Sequence, residues 1–267
     1  MKYMTFNSSC SYAGVANMLE QYGVDTDDRS IALGMKLPYL FSYEDGVYMA
    51  GPMLQSAEWF NLYLHPIGFD MHEIEVPATE VPAYLKQHKV AMLGLQVDDS
   101  GKHAVVYTGS QDDLLVFINN KWEHTDVPEL IKLSETELIA QIGSSVMIAT
   151  LEPIPSQATD LSTRLSNSVP IIRQNLSEIQ ELCSREETVA LLRSKLNTVF
   201  RPLLLDGITM LGLLGKDKLA SRFTEIQRLF LNVLRQDAAT IVRLADYLPV
   251  DKLTAAAEEY ILLIQSA

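Results

Sequence analysis

Asn7-Ser8-Ser9-Cys10-Ser11-Tyr12-Ala13-Gly14 is a polar entry that gives way to helical spacing. From 10 to 22, Ala13, Ala16 and Leu19 recur at helical intervals, and Gly23 suits the left-handed cap that ends such a helix. The first helix therefore begins at or beside Cys10. A thiol in that place meets unpaired backbone N–H groups and the positive end of the helix dipole, both of which favour the thiolate. Taken alone, Cys10 reads as well as a small buried hydrophobe, which is what most free cysteines are.

Outward from this helix, the pattern predicts short helices over 27–33, 52–64 and 79–88, the last capped by Thr79. Strands follow over 90–97, 102–108 and 114–118, the latter two joined by the polar turn 109–113 as a hairpin. Ser134 and Glu137 frame a capping box for a helix to 142, and 145–151 returns as a strand. A helix followed by an antiparallel sheet is an α+β arrangement. Strand signals then vanish after the two prolines of 152–157, so the reading divides the chain into domains 1–152 and 153–267. The second domain reads as all-helical, with helices over 161–168, 170–183, 186–200, 218–234 and 251–265 and a short one near 241–247. Its clearest stripe, Leu219, Phe223, Ile226, Phe230 and Val233, is core.

His103 opens a strand whose next residues are nearly all apolar, so its ring nitrogens need partners or work to do. Asn119 ends the following strand. In a hairpin the start of one strand lies beside the end of the other, which makes His103 and Asn119 neighbours. The Asn119 amide oxygen then accepts the Nδ1 proton, and Nε2 faces the thiol. A cysteine at a helix start with a His and an Asn across a later hairpin is the general constellation of cysteine hydrolases.

Composition narrows the setting. Of the 267 residues 48% are hydrophobic and 21% charged, as in an ordinary soluble globule, and the net charge of -13 disfavours nucleic acid and anionic membranes as partners. Two cysteines, Cys10 and Cys183, are too few for a disulfide framework and give no metal-ligand spacing. Without an apolar span or signal peptide, the expected place is the cytoplasm. His65, His72, His88 and His124 read as surface or loop residues, and Asp27-Asp28 as stabilisation of a helix's first turn.

The Cys-bearing helix, the strand Lys102-His103-Ala104-Val105-Val106-Tyr107-Thr108-Gly109 and Asn119 resemble the papain-like peptidase domains that cleave double-glycine leaders of bacteriocins. A closer resemblance is to the acyltransferase family named after protein H of butirosin biosynthesis. It rests on Ser9-Cys10 leading into Ala16-Asn17-Met18-Leu19-Glu20-Gln21-Tyr22-Gly23, on Ile31-Ala32-Leu33-Gly34 with Tyr39, Phe41 and Tyr43 after it, and on the helical second half.

The resemblance implies a bacterial thiol enzyme of papain-like fold, with no cofactor. Cys10 takes an acyl group from a thioester or amide and passes it to an amine or to water. His103 is the base and Asn119, where many relatives have Asp, orients it; the aromatic run Tyr39, Phe41, Tyr43 and Tyr48 reads first as a packed loop, and the resemblance makes Tyr39, Phe41 and Tyr43 a second candidate, a wall of the substrate pocket. The leader peptidases carry a Gln six residues before the cysteine; here that place holds Met4, and Asn7 is the candidate oxyanion donor beside the backbone N–H of Cys10. The expected function is acyl transfer to a small amine, with an acyl carrier among the possible donors and a homodimer left open. A cysteine peptidase or amidase is the second reading, and a binding module that kept the fold, prompted by Met4, is the third.

Overall fold

A computed structural model describes residues 1–98 and 101–267. They form two compact units, residues 1–35 with 55–159 and residues 36–54 with 160–267.

In the first unit, helix α1 (Cys10–Glu20) is buried from Tyr12 to Leu19 and lies against one face of a six-stranded sheet. Gly14 is what lets it approach. A Cβ there would stand 2.8 Å from Nδ2 of Asn120 and closer still to the sulfur of Met92. The strands are β1 (Phe69–Pro77), β2 (Ala91–Asp98), β3 (Gly101–Gln111), β4 (Leu114–Asn119), β5 (Leu130–Leu133) and β6 (Ser145–Pro153). Their order is β1-β6-β2-β3-β4-β5, and every neighbouring pair is antiparallel.

Leu93, Val105, Phe117 and Ile148 form the other face and close a core with α4 (Val81–Leu85) and α5 (Glu135–Ile142). Phe117 is wholly buried there, so truncation to Ala would cost roughly 3–5 kcal/mol. The box at Ser134 and Glu137 caps α5 as its sequence predicts. Strand β1 was not predicted. It lies at the sheet's edge and exposes the run His72–Glu75, so its sequence lacks the alternation of a half-buried strand.

The second unit is mainly helical, built on Ser162–Ser184, Asp217–Leu234 and Val250–Gln265 around Ile172, Phe200, Phe223, Phe230 and Tyr260. The expected stripe on 217–234 is its core. Pro170 does not divide the first of these helices, because Ile172, Leu176, Ile179 and Leu182 bury a continuous stripe beyond it. Two short two-stranded sheets accompany the helices: Phe41–Glu44 with Val47–Ala50, and Glu186–Thr188 with Ile241–Arg243.

The first of these sheets changes the expected domain boundaries. Phe41 packs edge-on to Tyr260 at 5.6 Å, its N–H donates to Ser168 Oγ at 2.9 Å, and Tyr260 donates to the Pro38 carbonyl at 2.7 Å. Residues 36–54 thus belong with the helices, and the later join falls after Thr159 rather than after Glu152. The prolines at 153 and 155 mark a nearby break, but contacts made more than a hundred residues away leave no local pattern. Among the described residues no helix is long and apolar enough to cross a membrane.

Candidate active site

The approach to Cys10 is fixed by a buried carboxylate. Asp28, at the start of α2 (Asp28–Gly34), accepts from the Thr5 N–H at 2.6 Å, the Thr5 hydroxyl at 2.7 Å and the Ser9 hydroxyl at 2.7 Å. Ser9 occupies the N-cap position of α1, yet its hydroxyl is drawn to Asp28 and caps nothing. Cys10 therefore stands at a helix start whose own serine does not compete for the first-turn N–H groups. Tyr12, edge-on to Phe6 at 5.7 Å and to Phe60 at 4.8 Å, anchors that turn. Asp28 does more than support its own helix, the role its sequence position suggested; Asp27 is the N-cap of α2, accepting from Ser30 N–H at 2.7 Å.

Cys10 and His103 come together as expected, hydrogen-bonded side chain to side chain. Nε2 of His103 lies against the backbone carbonyl of Asn120. A carbonyl has no proton to give, so Nε2 carries the ring's N–H and Nδ1 is left for the thiol. This reverses the expected roles of the two nitrogens.

It also displaces Asn119. That residue sits directly across from Val105, its Nδ2 donates to the Pro128 carbonyl at 3.0 Å, and its buried Oδ1 accepts nothing. The orienting group is instead the main-chain oxygen one residue on. Hairpin logic located the right end of the right strand, but a side-chain partner could be inferred from residue types whereas a carbonyl could not.

Asn120 is held by a buried amide relay. Its Nδ2 donates to the Ala104 carbonyl at 2.9 Å, and its Oδ1 accepts from Asn17 Nδ2 at 2.9 Å. Asn17, on α1, also exchanges bonds with the backbone of Lys2 at 2.6 and 2.9 Å. Ala104 closes the circuit by turning its N–H to the Cys10 sulfur. The helix that carries the thiol and the strand end that holds the imidazole are thereby set by one network. A fully buried Asn in an otherwise apolar helix was its visible signal.

Burial alone would push the Cys10 thiol up. The His103 hydrogen bond, the Ala104 N–H, the positive charge of His103 and the Ser11 hydroxyl together bring it below its ordinary value. Cys183, buried in the second unit without such partners, is pushed up to about 11.

The thiol opens on a cavity of about 300 Å³, with Ser11, Gln55, Glu73, Lys102 and His103 supplying its polar groups and Gly94, Ala104, Ala149 and two methionines, Met92 and Met147, its apolar ones. Asn7 is exposed and not among these residues, and Met4 is buried with its N–H on the Lys121 carbonyl at 2.9 Å. Tyr39, Phe41 and Tyr43 belong to the second unit, where Tyr43 packs against Tyr48 at 4.4 Å.

The chain is similar to a solved peptidase domain. It is that of Streptococcus ComA, a bi-functional ABC transporter involved in a quorum sensing pathway, with 14% sequence identity over 57% of this chain and 96% of that one and a TM-score of 0.40. No family model matches the sequence, and no curated protein does.

Taken by itself, the site's geometry can support nucleophilic substitution at an acyl carbon. It offers a thiol held below its ordinary value, an imidazole hydrogen-bonded to it, and a cavity of about 300 Å³ beside them.

Proposed function

We propose that the protein is a papain-like cysteine enzyme that moves acyl groups through a thioester on Cys10, with a small amine as the acceptor. The observation that carries this reading is the Cys10–His103 hydrogen bond at the mouth of a cavity, with the thiol held below its ordinary value despite burial. In the first step Sγ bonds to the acyl carbon, the bond to the leaving group breaks, and the proton on His103 Nδ1 goes to that group. In the second, the amine nitrogen attacks the thioester, His103 takes its proton, and the C–S bond breaks to restore the thiolate.

Cavity size favours a small amine over an extended peptide. About 300 Å³ is at the small end of ligand sites, and Glu73 in its lining can hold a cationic group of the acceptor other than the attacking nitrogen. Peptide hydrolysis uses the same acyl-enzyme and is the second reading.

The test supplies S-acetyl-N-acetylcysteamine with a panel of small primary amines, and in parallel short peptides alone, to the wild type and to Cys10→Ala. Amide products that require Cys10 support the proposal. Cysteine-dependent peptide cleavage without amide synthesis would replace it with the peptidase reading, and no turnover of either kind would favour a binding module.

A further inference from the structure

We propose that the Gln55 side-chain amide is the oxyanion donor of the Cys10 site, a catalytic role that rests on the acyl-transfer reading above. Addition of a thiolate to a carbonyl moves a full negative charge onto the oxygen, and a site for that step needs N–H donors aimed at it. One is at hand in the backbone N–H of Cys10, where α1 begins. A second has to come from a side chain in the cavity. Asn7 does not line it, and Met4 offers no donor.

Gln55 does line the cavity, and it is tied to the residue next to the nucleophile. Its Oε1 and the Ser11 Oγ are 2.8 Å apart. A serine hydroxyl has one proton to give. With that proton on Gln55 Oε1, both amide N–H groups remain for a substrate oxygen. With it turned to the Cys10 thiolate, which the Ser11 hydroxyl also reaches, the Gln55 amide rotates to donate to Ser11 Oγ and keeps its second N–H. Either arrangement leaves a donor in the cavity that Cys10 lines. The Glu73 carboxylate of the cavity serves less well, because it accepts from the Ala57 N–H at 2.9 Å and would repel an oxyanion.

The experiment separates this role from nucleophile activation by using two reagents. Iodoacetamide alkylates a thiolate at a saturated carbon and develops no oxyanion, whereas 4-nitrophenyl acetate acylates it through one. In the second reaction the Sγ–C bond forms, 4-nitrophenolate leaves with its electron pair, and the acetyl group stays on Cys10. Gln55→Ala and Gln55→Leu should each slow acetylation by about 100-fold or more, as loss of one oxyanion donor does, and slow alkylation far less. Asn7→Ala should change neither. If the two Gln55 variants acetylate at the wild-type rate, or if acetylation and alkylation fall together, Gln55 is not the donor. Loss of acetylation in Asn7→Ala alone would move the role to Asn7. Failure of the underlying reading looks different: wild-type Cys10 would itself take up no acetyl group.

Discussion

Nε2 of His103 lies against the backbone carbonyl of Asn120, so the group that holds the imidazole belongs to the main chain and cannot be deleted by mutation. What mutation can reach is the relay that positions it.

Asn17→Ala removes the donor to Asn120 Oδ1 and leaves the backbone of Lys2 without its partners. The expected cost is roughly 1–3 kcal/mol of stability, together with a rise in the apparent pKa of Cys10 alkylation. Asn120→Ala should act the same way. Asn119→Ala, which breaks only the bond to Pro128, should leave the alkylation profile in place. Bromoacetamide or iodoacetamide rates across pH provide the readout. A shifted profile for Asn119→Ala with unchanged profiles for the other two would restore Asn119 as orienter.

Gly14→Ala probes the same relay by steric means. The added methyl would meet Asn120 Nδ2 and the Met92 sulfur, and only the latter belongs to a flexible side chain. The helix must lift or Asn120 must move, so Cys10 alkylation at neutral pH should slow by about tenfold while the far-ultraviolet circular dichroism stays native. Gly212→Ala, where a Cβ meets nothing within 4 Å, is the control and should alkylate as the wild type does. Equal rates in both variants would mean that the packing of α1 on Asn120 does not reach the thiol.

Much of the site was legible because its elements are local. The polar run before Cys10, the apolar strand after His103 and the hairpin between 102 and 118 each carry their pattern within a few residues. The rest depends on contacts that no window contains. Residues 36–54 fold onto helices that begin at Ser162, Gln55 reaches Ser11 from 44 residues away, and Asn120 acts through a carbonyl that every residue possesses. Papain-like expectations pointed to Asn119 by spacing, while β-sheet register sets it across from Val105.

Asp28→Ala should loosen the entry to the site. The carboxylate holds Thr5 and Ser9, and replacing it leaves the buried Ser9 hydroxyl unpaired at a cost of roughly 1–3 kcal/mol. The freed Ser9 hydroxyl would then be able to cap α1. Protease cleavage within residues 1–9 should become faster in the variant under native conditions. Unchanged cleavage and unchanged stability would show that Asp28 does not hold this segment.

In the second unit, burial raises the Asp206 carboxyl to about 6, with Arg201 at 2.9 Å opposing the shift. Below the ordinary carboxylate value both states are protonated; between there and about 6 the folded chain keeps a proton that the unfolded chain releases. This contribution to stability is therefore fully present in acid and is lost as pH rises through about 6, by roughly 2–3 kcal/mol. Urea unfolding of the wild type and Asp206→Asn at several pH values should show a difference that shrinks or reverses in favour of the variant as pH rises. A pH-independent difference would contradict it.

The most direct test of the central claim is the pH dependence of Cys10 alkylation, followed by intact and peptide mass after brief exposure to iodoacetamide. Because its thiol is held below the ordinary value, the onset of Cys10 alkylation in the wild type should lie at lower pH than that of a free thiol. His103→Ala should move that onset upward and cut the rate at neutral pH by about tenfold or more, while His65→Ala and His124→Ala should not. Cys183, pushed up to about 11, should stay unmodified throughout. Slow alkylation of Cys10 that begins only in the ordinary thiol range, and that is indifferent to His103, would contradict the assignment of Cys10 and His103 as nucleophile and base.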